Sequence, residues 1–448
     1  MLWKLPPFRS LDNGKTVWAW SMYDLANQSF TLLIITLLFP LYFKEQVVGD
    51  PSRGDFLWSL AVGISQGIVV LTGPVLGALA DCRGLKKRLL ISLGIGCAIL
   101  TLGLFFLEPD AIWLAFLLFV PANVAYQLGE NFLASFLPHV AGEKNTGRIS
   151  AIGWASGYVG ALLLLIITLG CMFAFGWQDT SMWRPFFLLA GIWFLLGIIP
   201  TALILDEPSR SPLPSDSGST VGAALTRMKR TIEQASHFKQ LVRFLIAFFV
   251  FGLGVQVMVA FSSILAADFG IEGSMLVLFV AQLTITAGIT AALTAKFQDG
   301  IGARNTVLIY LAVWIASCLG MAAITILIPN DPPQWLFWVI GNGIGIGLGG
   351  IGTASRTVVG RFSPKGRTAE FFGLWGLAYK SAAVVGVVSF GVVKSRGQGL
   401  LPFGNANTAA LLLLTAFFVG GLLLTLRVSE TAGVRAAKRA DRGGARGY

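Results

Sequence analysis

Four charged side chains stand out because they lie inside long apolar stretches of the chain. Asp24 and Glu130 fall in the first half, and Asp24 has Asn27 one helical turn away. Arg356 and Lys380 fall in the second half. An ionisable side chain inside a membrane span is costly, and such residues usually mark a substrate or ion pathway. Two acids in one half and two bases in the other are suited to the amine and the carboxylate of a zwitterion.

Depth along the predicted helices supports a common site. Asp24 lies about seven residues, or roughly 10 Å, from the cytoplasmic end of its helix, and Glu130 lies about nine residues, or roughly 13 Å, from the same side. Asn131 and Asn342 are further polar candidates. An acid in this setting could also carry a coupling proton. The alternative is that the charges pair with one another and lock helices together.

A charged turn occurs twice, and the second copy follows the first by 218 residues. Each copy has an acid, a glycine three residues later and a cation two residues after that glycine. The members are Gly77, Asp81, Arg83, Gly84 and Lys86, and then Asp299, Gly302 and Arg304. A pattern that returns at about half the chain length predicts a duplicated membrane unit. We expect both acids to end helices at the cytoplasmic side and to act in a gate, each facing the positive amino-terminal end of a helix in the opposite half.

Apolar helices must position these residues. The chain is 55% apolar and 12% charged, which is unlike a soluble protein. A run of roughly 20 apolar residues can cross a bilayer, and it must do so as a helix because lipid offers the backbone no hydrogen-bond partner. The predicted spans are 17–43, 57–80, 88–107, 112–138, 148–174, 184–205, 241–268, 274–297, 304–328, 334–358, 368–394 and 405–427.

The distribution of positive charge predicts the orientation. Of 33 Lys and Arg residues, 26 lie in tails and loops that share one side, five lie on the opposite side and two lie within spans. Cytoplasmic loops carry such an excess, so both termini are expected in the cytoplasm, and we expect a bacterial inner membrane protein. The net charge of +11 is then a signal of topology, and no nucleic-acid partner is predicted.

Four regions follow from this pattern. Residues 1–205 and 241–428 are predicted to form two six-helix bundles. Residues 206–240 are a cytoplasmic linker with an amphipathic helix on the membrane surface. Residues 429–448 are a basic tail that we expect to be disordered and to touch anionic lipid.

Enzymatic chemistry has little support in the sequence. The two histidines, His139 and His237, fall on the predicted cytoplasmic side, and the four cysteines are scattered without a framework spacing. These residues do not group as metal ligands or as a nucleophile with its base. No catalytic residue, metal or cofactor is therefore expected.

Several stretches together resemble the major facilitator superfamily and, within it, the vacuole effluxer family of autophagy-related amino-acid exporters and bacterial relatives. The repeated turn is similar to the superfamily's signature loop between helices 2 and 3 and its echo between helices 8 and 9. The other similar stretches are 23–30, 39–43, 135–138, 153–160, 354–356 and 371–380. The resemblance implies twelve helices in two bundles, alternating access without ATP hydrolysis, and a central cavity lined by helices 1, 4, 7 and 10. Glu130 and Asn131 depart from the tyrosine–asparagine pair expected near that point.

The resulting prediction is a secondary active transporter of a small polar solute, zwitterionic as an amino acid is, that exports its substrate and works as a monomer in lipid. Proton coupling is left open. One alternative is a different substrate class, such as a drug, a sugar or a lipid-like amphiphile. Another is a receptor or scaffold that keeps the fold and has lost transport.

Overall fold

The structure, a computed structural model, describes residues 4, 6–141, 146–207, 229, 233, 235–328, 333–364 and 367–444. At positions 81, 82, 146, 147, 295, 369 and 442–444 only the backbone is described. Within these residues the chain is helical and has no β-strand. The amphipathic helix predicted in the 206–240 linker falls almost wholly outside the described residues.

Twelve helices occupy the predicted spans. They are α1 (Gly14–Ser29), α2 (Pro51–Arg83), α3 (Lys86–Gly103), α4 (Ile112–Ser135), α5 (Thr146–Phe175), α6 (Arg184–Ile204), α7 (Lys239–Asp268), α8 (Gly273–Ile301), α9 (Ala303–Leu327), α10 (Gln334–Phe362), α11 (Thr368–Arg396) and α12 (Ala406–Leu426). In the described part of the chain, α2 to α12 are each long and apolar enough to cross a membrane. The first span is the exception because it is broken.

The first span is broken where the sequence predicts one continuous helix. After α1 the backbone runs as a π-helix over Phe30–Leu37, and a bend of 43° separates it from a second segment, Phe39–Val48. Pro40 lies at the second position of that segment. Because proline has no backbone N–H and its ring excludes the preceding turn, a helix bends or breaks there. This π-helix and a second one at Phe43–Val48 re-pair the backbone groups that the break releases.

The packing of helices repeats along the chain. In the first half α1 packs on α5 and α6, and α3 packs on α4 and α6. In the second half α7 packs on α11 and α12, and α9 packs on α10 and α12. These are the same four pairings shifted by six helices, as expected for a duplicated unit.

The chain forms two compact units. Unit 1 comprises Met1–Gly54, Ile64–Leu225 and Glu272–Leu278. Unit 2 comprises Asp55–Gly63, Thr226–Ile271 and Phe279–Tyr448. Residues 55–63 of α2 therefore belong to unit 2, and the first turns of α8 belong to unit 1. The boundaries predicted from the sequence, at 205 and 241, assign neither of these short segments to the other unit.

Large apolar side chains cover the outside of the helices. Leu71, Trp113, Leu203 and Leu327 are each more than 75% exposed. Exposed apolar surface of this extent is unfavourable in water and indicates contact with lipid. The chain is an integral membrane protein.

Glycines in α10 allow two neighbouring helices to approach it closely. A Cβ atom at Gly347 would lie 1.7 Å from the indole nitrogen of Trp314 on α9, and one at Gly350 would lie 2.2 Å from the ring of Tyr310. On the α8 side, a Cβ at Gly349 would lie 2.0 Å from the carbonyl oxygen of Ala287. Small residues commonly mark close helix contacts in membranes. The glycine-rich sequence of α10 is therefore explained by packing.

The carboxy-terminal tail is a helix, which corrects the prediction of disorder. This helix, α13, spans Glu430–Gly444 and packs against α7 and α10. Gly433 and Ala437 are buried one turn apart, while Arg435, Lys438 and Arg439 are exposed. The charge of the tail suggested disorder, but its small residues recur at helical spacing and form a face that packs on the protein.

Candidate functional site

One face of the first span, in α1 and the π-helix that follows it, carries four polar residues. Asn27 and Gln28 lie three and four residues after Asp24, and Thr31 lies four and three residues after those two, so the four share a helix face. Asn27 is fully buried, whereas Asp24 and Gln28 are partly exposed. Polar groups at this depth need hydrogen-bond partners, and α4 supplies them.

The partners on α4 are Glu130 and Tyr126. The amide of Asn27 donates to the carboxylate of Glu130, and Thr31 Oγ1 donates to the hydroxyl of Tyr126 over 2.6 Å. Gln28 Nε2 donates to Asn27 Oδ1 over 3.2 Å. Together these side chains and Asp24 form the unit-1 polar cluster. It joins the two elements that the sequence analysis selected.

Glycines of α5 lie directly beside Asp24. A Cβ at Gly157 would lie 3.3 Å from Gln28 Nε2 and 3.7 Å from Asp24 Oδ1, and one at Gly153 would lie 3.6 Å from Asp24 Oδ2. The absence of side chains at these two positions brings α5 close to the carboxylate of Asp24. A side chain at Gly157 would press on Gln28, and a Cβ at Gly153 would clash with the ring of Trp20 at 2.6 Å.

Asn131 does not belong to that cluster. It is exposed, and its amide nitrogen lies 3.7 Å from the position of a Cβ on Gly73 of α2. One residue advances a helix by about 100°, so Glu130 and Asn131 face different neighbours. Their adjacency in sequence made them look like one pair.

In unit 2, Arg356 of α10 is placed against an aromatic group of α11. Its guanidinium carbon lies 5.7 Å from the centre of the Trp375 ring, within the range of a cation–π contact. Trp375 stacks on Tyr379 at 6.3 Å with an angle of 11°, and it packs on Phe248 of α7 at 5.1 Å. The charge of Arg356 marks it as a candidate in the sequence, whereas nothing in the sequence marks these rings as its neighbours.

The other candidates of unit 2 lie elsewhere. Asn342 accepts a hydrogen bond of 3.0 Å from Thr286 Oγ1 and thereby links α10 to α8. Lys380 is partly exposed and directly follows Tyr379 on α11. Because one residue turns the helix by about 100°, Lys380 is off the face that Trp375 and Tyr379 share.

The first charged turn connects α2 to α3. Gly84 has a φ of 62° and its N–H caps α2 on the carbonyl of Ala80, a conformation that favours glycine. Lys86 begins α3, and the backbone N–H of Lys87 donates to Glu207 over 2.9 Å. Glu207 was not predicted to take part.

The other members of the first copy are less informative. Gly77 has open space where a side chain would lie, and Arg83 is exposed at the end of α2. The side chain of Asp81 lies outside the described residues, so its predicted gate contact stays a prediction.

The second charged turn connects α8 to α9 and is built in the same way. Gly302 has a φ of 93°. Glu430 of α13 accepts hydrogen bonds from the backbone N–H groups of Ala303 at 3.3 Å and Arg304 at 3.0 Å. Negative charge at a helix amino terminus is favourable. Arg304 also donates to the last carbonyls of α12, at 2.7 Å for Leu426.

Arg361 of α10 joins the two acids of this region. It forms ion pairs with Asp299, which ends α8, and with Glu430 at 2.6 Å. We call Arg361, Asp299 and Glu430 the Arg361 cluster. Burial alone raises the pKa of Glu430, but the backbone N–H of Arg304 and the guanidinium of Arg361 outweigh it, so this pKa lies below its usual value.

A second cluster with one cation and two acids lies at the carboxy-terminal ends of α7 and α11. Lys394 Nζ contacts Asp268 and lies 3.2 Å from Asp55 Oδ2 and 2.6 Å from Asn407 Oδ1. We call these four residues the Lys394 cluster. In the sequence, Lys394 is one of the five cations that lie on the predicted outer side. The sequence does offer a signal for this cluster. Asp55 lies near the start of α2, and Asp268 and Lys394 lie near the ends of α7 and α11, so all three are charges at the predicted outer ends of apolar helices.

A family profile described as "Vacuole effluxer Atg22 like" matches residues 57–438 of this chain. That match covers most of the sequence, including both charged turns. The chain belongs to the vacuole effluxer Atg22-like family.

Individual relatives agree with the Atg22-like assignment. The chain is 23% identical over 425 residues to an uncharacterised MFS-type transporter, YxiO, of Bacillus subtilis, and the match covers 92% of this chain and 95% of YxiO. It is 21% identical to autophagy-related protein 22 of Kluyveromyces lactis, with 81% of this chain and 77% of that protein covered.

Solved structures give the fold of this Atg22-like chain. The nucleoside transporter NupG, as its D323A mutant, superposes with a TM-score of 0.69 at 13% identity, over 92% of this chain and 98% of NupG. At that identity the likeness is one of fold. The chain has the major facilitator fold and is a transporter of that type, as its relatives are.

Proposed function

We propose that this transporter is a secondary active exporter of a small zwitterionic solute, such as an amino acid, in a bacterial inner membrane with both termini in the cytoplasm. The observation that carries the proposal is the unit-1 polar cluster. Two acids, Asp24 and Glu130, are held on α1 and α4 inside membrane spans, where such groups are retained mainly for function.

The chemistry of each unit suits one end of a zwitterion. In unit 1 the partly exposed carboxylates of Asp24 and Glu130 suit an ammonium group. In unit 2 Arg356 and Lys380 supply positive charge for a carboxylate. Alternating access, which the family resemblance implies, then requires that the protein with a bound solute or a bound proton interconverts between two states that open to opposite sides of the membrane.

Glu130 is the proposed carrier of a coupling proton. Asn27 holds it with an amide N–H, and a carboxylate held in this way can bind either the ammonium of a solute or a proton. Competition between the two at one carboxylate would couple their movements in opposite directions, as export driven by an inward proton gradient requires.

Transport by the purified protein tests this proposal. Protein reconstituted into liposomes is assayed for counterflow of a panel of labelled amino acids, with and without a pH gradient. Glu130→Gln should lower the rate by about tenfold or more, since hydrogen bonds to a charged group contribute 1.5–3 kcal/mol. Glu108→Gln, an exposed acid on the loop before α4, is the matched control and should be unchanged. Equal rates for the two variants would contradict the proposal.

The alternative role, a clamp made by paired charges, gives a different pattern. Breaking a buried pair destabilises a protein by about 3–5 kcal/mol, and removing both partners restores much of that loss. Melting temperature and counterflow are therefore measured for Asp24→Asn, Lys380→Met and the double variant. A double variant that regains both stability and full transport would leave these charges as a clamp.

A further inference from the structure

The exposed side of α13 carries three cations close together. Lys438 and Arg439 follow Arg435 by three and four residues, and side chains at this spacing share one side of a helix. All three are exposed, whereas Gly433 and Ala437 are buried. The helix therefore packs on unit 2 through its small residues and directs its positive charge away from the protein.

The start of α13 lies at the level where several spans end. The helix begins at Glu430, four residues after the end of α12, and this residue accepts hydrogen bonds from the N–H groups that begin α9. The N–H of Ser429 donates to Gln240 at the start of α7 over 2.8 Å. A Cβ at Gly433 would lie 2.5 Å from the ring of Phe362, the last residue of α10. The ends of spans are where the headgroups of a bilayer lie.

The neighbouring helix ends add cations to the same surface. Three further exposed cations lie at the start of α7 and directly after α12, namely Lys239, Arg243 and Arg427. The two acids of the Arg361 cluster are paired with its guanidinium. Asp441, four residues after Ala437, lies on the side of α13 that packs on the protein. We call the six exposed cations the α13 basic surface.

Positive charge at this level matches one partner, the anionic phospholipids of the cytoplasmic leaflet, which attract clusters of Lys and Arg beside a span. We propose that the α13 basic surface binds the headgroups of these lipids, so that α13 lies along the membrane surface with its small residues on unit 2. The inference goes beyond transport. It rests on the proposed function only for the cytoplasmic position of the termini.

Lipid binding by the purified protein tests this surface without any transport. Full-length protein in neutral detergent is titrated with dioctanoyl phosphatidylglycerol and, separately, with dioctanoyl phosphatidylcholine, and bound lipid is counted by native mass spectrometry. The anionic lipid should bind at least roughly tenfold more tightly, since each cation near a headgroup contributes roughly fivefold in affinity. Equal affinities would overturn the proposal. Inorganic phosphate that displaces phosphatidylglycerol at equal concentration would also overturn it, because the surface would then bind free anions.

A triple variant locates the binding on α13. Together, Arg435→Gln, Lys438→Gln and Arg439→Gln should weaken phosphatidylglycerol roughly 30-fold, the loss expected when a headgroup loses two cations. Arg435→Lys combined with Arg439→Lys keeps the charge and should bind nearly as the parent does. Unchanged affinity in the triple variant would overturn the surface.

The matched control removes the same number of charges from unit 1. Arg9→Gln, Lys15→Gln and Arg88→Gln together change three exposed cations on the same predicted side of the membrane, and phosphatidylglycerol should bind to this variant as to the parent. An equal loss in the control and in the α13 variant would mean that only net charge matters, and it would overturn a local surface.

A spin label at Ala432→Cys tests whether α13 lies on the bilayer. Ala432 is exposed and lies three residues before Arg435. In nanodiscs of phosphatidylcholine with about 30% phosphatidylglycerol, the label should be less accessible to a water-soluble nickel complex than in pure phosphatidylcholine. The α13 triple variant should lose this difference. Equal accessibility in the two bilayers would overturn the proposal. Protection by added polyglutamate or RNA, but not by the anionic bilayer, would assign the surface to a soluble partner instead.

The inference and the proposed orientation can fail separately. Both leaflets of a nanodisc contain phosphatidylglycerol, so binding is detected whichever side of the membrane carries α13. Labelling of Ala432→Cys in intact cells by a membrane-impermeant maleimide would contradict the cytoplasmic position of the termini and leave lipid binding standing. Absence of selective binding in the two lipid assays would overturn the surface and leave the transport proposal standing.

Discussion

The Lys394 cluster and the Arg361 cluster each contain one cation and two acids, but the Arg361 cluster is the more exposed of the two. Each places one cation between two carboxylates within unit 2. The side chains of Lys394, Asp55 and Asp268 are 4%, 5% and 16% exposed. In the other cluster Asp299 is 75% exposed and Arg361 is 31% exposed, while Glu430 is 18% exposed.

Burial determines what each cluster contributes. Buried ion pairs contribute little beyond an apolar replacement, but loss of one partner leaves an uncompensated charge and is strongly destabilising. Exposed pairs are screened by water and salt, and their median contribution is about 0–1 kcal/mol. We therefore expect the Lys394 cluster to be essential for folding, and the Arg361 cluster to control a local contact of α13.

The largest effect is expected from Lys394→Met. It leaves the carboxylates of Asp55 and Asp268 buried together, so the free energy of unfolding should fall by about 3–5 kcal/mol. Thermal unfolding in nanodiscs measures this, with Arg396→Met as the control because Arg396 lies two residues away and is exposed. Addition of Asp55→Asn and Asp268→Asn to Lys394→Met should recover much of the loss. Equal melting temperatures for Lys394→Met and Arg396→Met would remove the contrast between the clusters.

A smaller effect is expected from Glu430→Gln. This change weakens the contacts with Arg361 and with the backbone at the start of α9, and hydrogen bonds to a charged group contribute about 1.5–3 kcal/mol. We expect α13 to detach while the spans stay folded. Trypsin cleavage at the exposed Arg435 should accelerate roughly tenfold or more, with Thr431→Ala as the control. An unchanged cleavage rate would show that Glu430 does not hold this helix.

The same contact predicts a pH dependence with a defined sign. Because the pKa of Glu430 is lower when α13 is docked, docking is fully favoured above the usual Glu pKa of about 4.3. Docking of α13 is lost as the pH falls through the lowered pKa of Glu430. A spin label at Lys438→Cys should become mobile only in acid, and with Glu430→Gln it should be mobile at every pH. Mobility that rises with pH instead would contradict the assignment.

The smallest effect is expected from Asp299→Asn. Its carboxylate is mostly exposed, so the free energy of unfolding should change by less than about 1 kcal/mol. The difference from the parent protein should disappear at about 1 M salt, where the screening length is near 3 Å. If Asp299→Asn lowered the free energy of unfolding as much as Lys394→Met does, the exposure of the two clusters would not explain their contributions to stability.

The sequence predicted what depends on local composition. Hydropathy located twelve spans, and the spacing of Gly84 and Gly302 located two equivalent turns. The sequence could not predict contacts that depend on distant segments. Asp55 and Lys394 are more than 300 residues apart, and Glu430 lies in a tail whose charge suggested disorder.

The candidate site shows the same limit. Charges inside apolar runs identified Asp24, Glu130 and Arg356. The partners Tyr126 and Trp375 are ordinary aromatic residues in the sequence, and only the packing of the helices shows their positions. The break in the first span was also missed, because hydropathy averages over a single proline.

The glycines of α10 have a consequence for how this gene can change. Single-base changes convert any glycine codon to alanine, and at Gly347, Gly349 and Gly350 the added methyl group would overlap a neighbouring helix. At Gly352 it would meet open space. Natural variation should therefore accumulate at Gly352 and be purged at the other three positions, so that population sequences alone would record which sides of α10 are in contact.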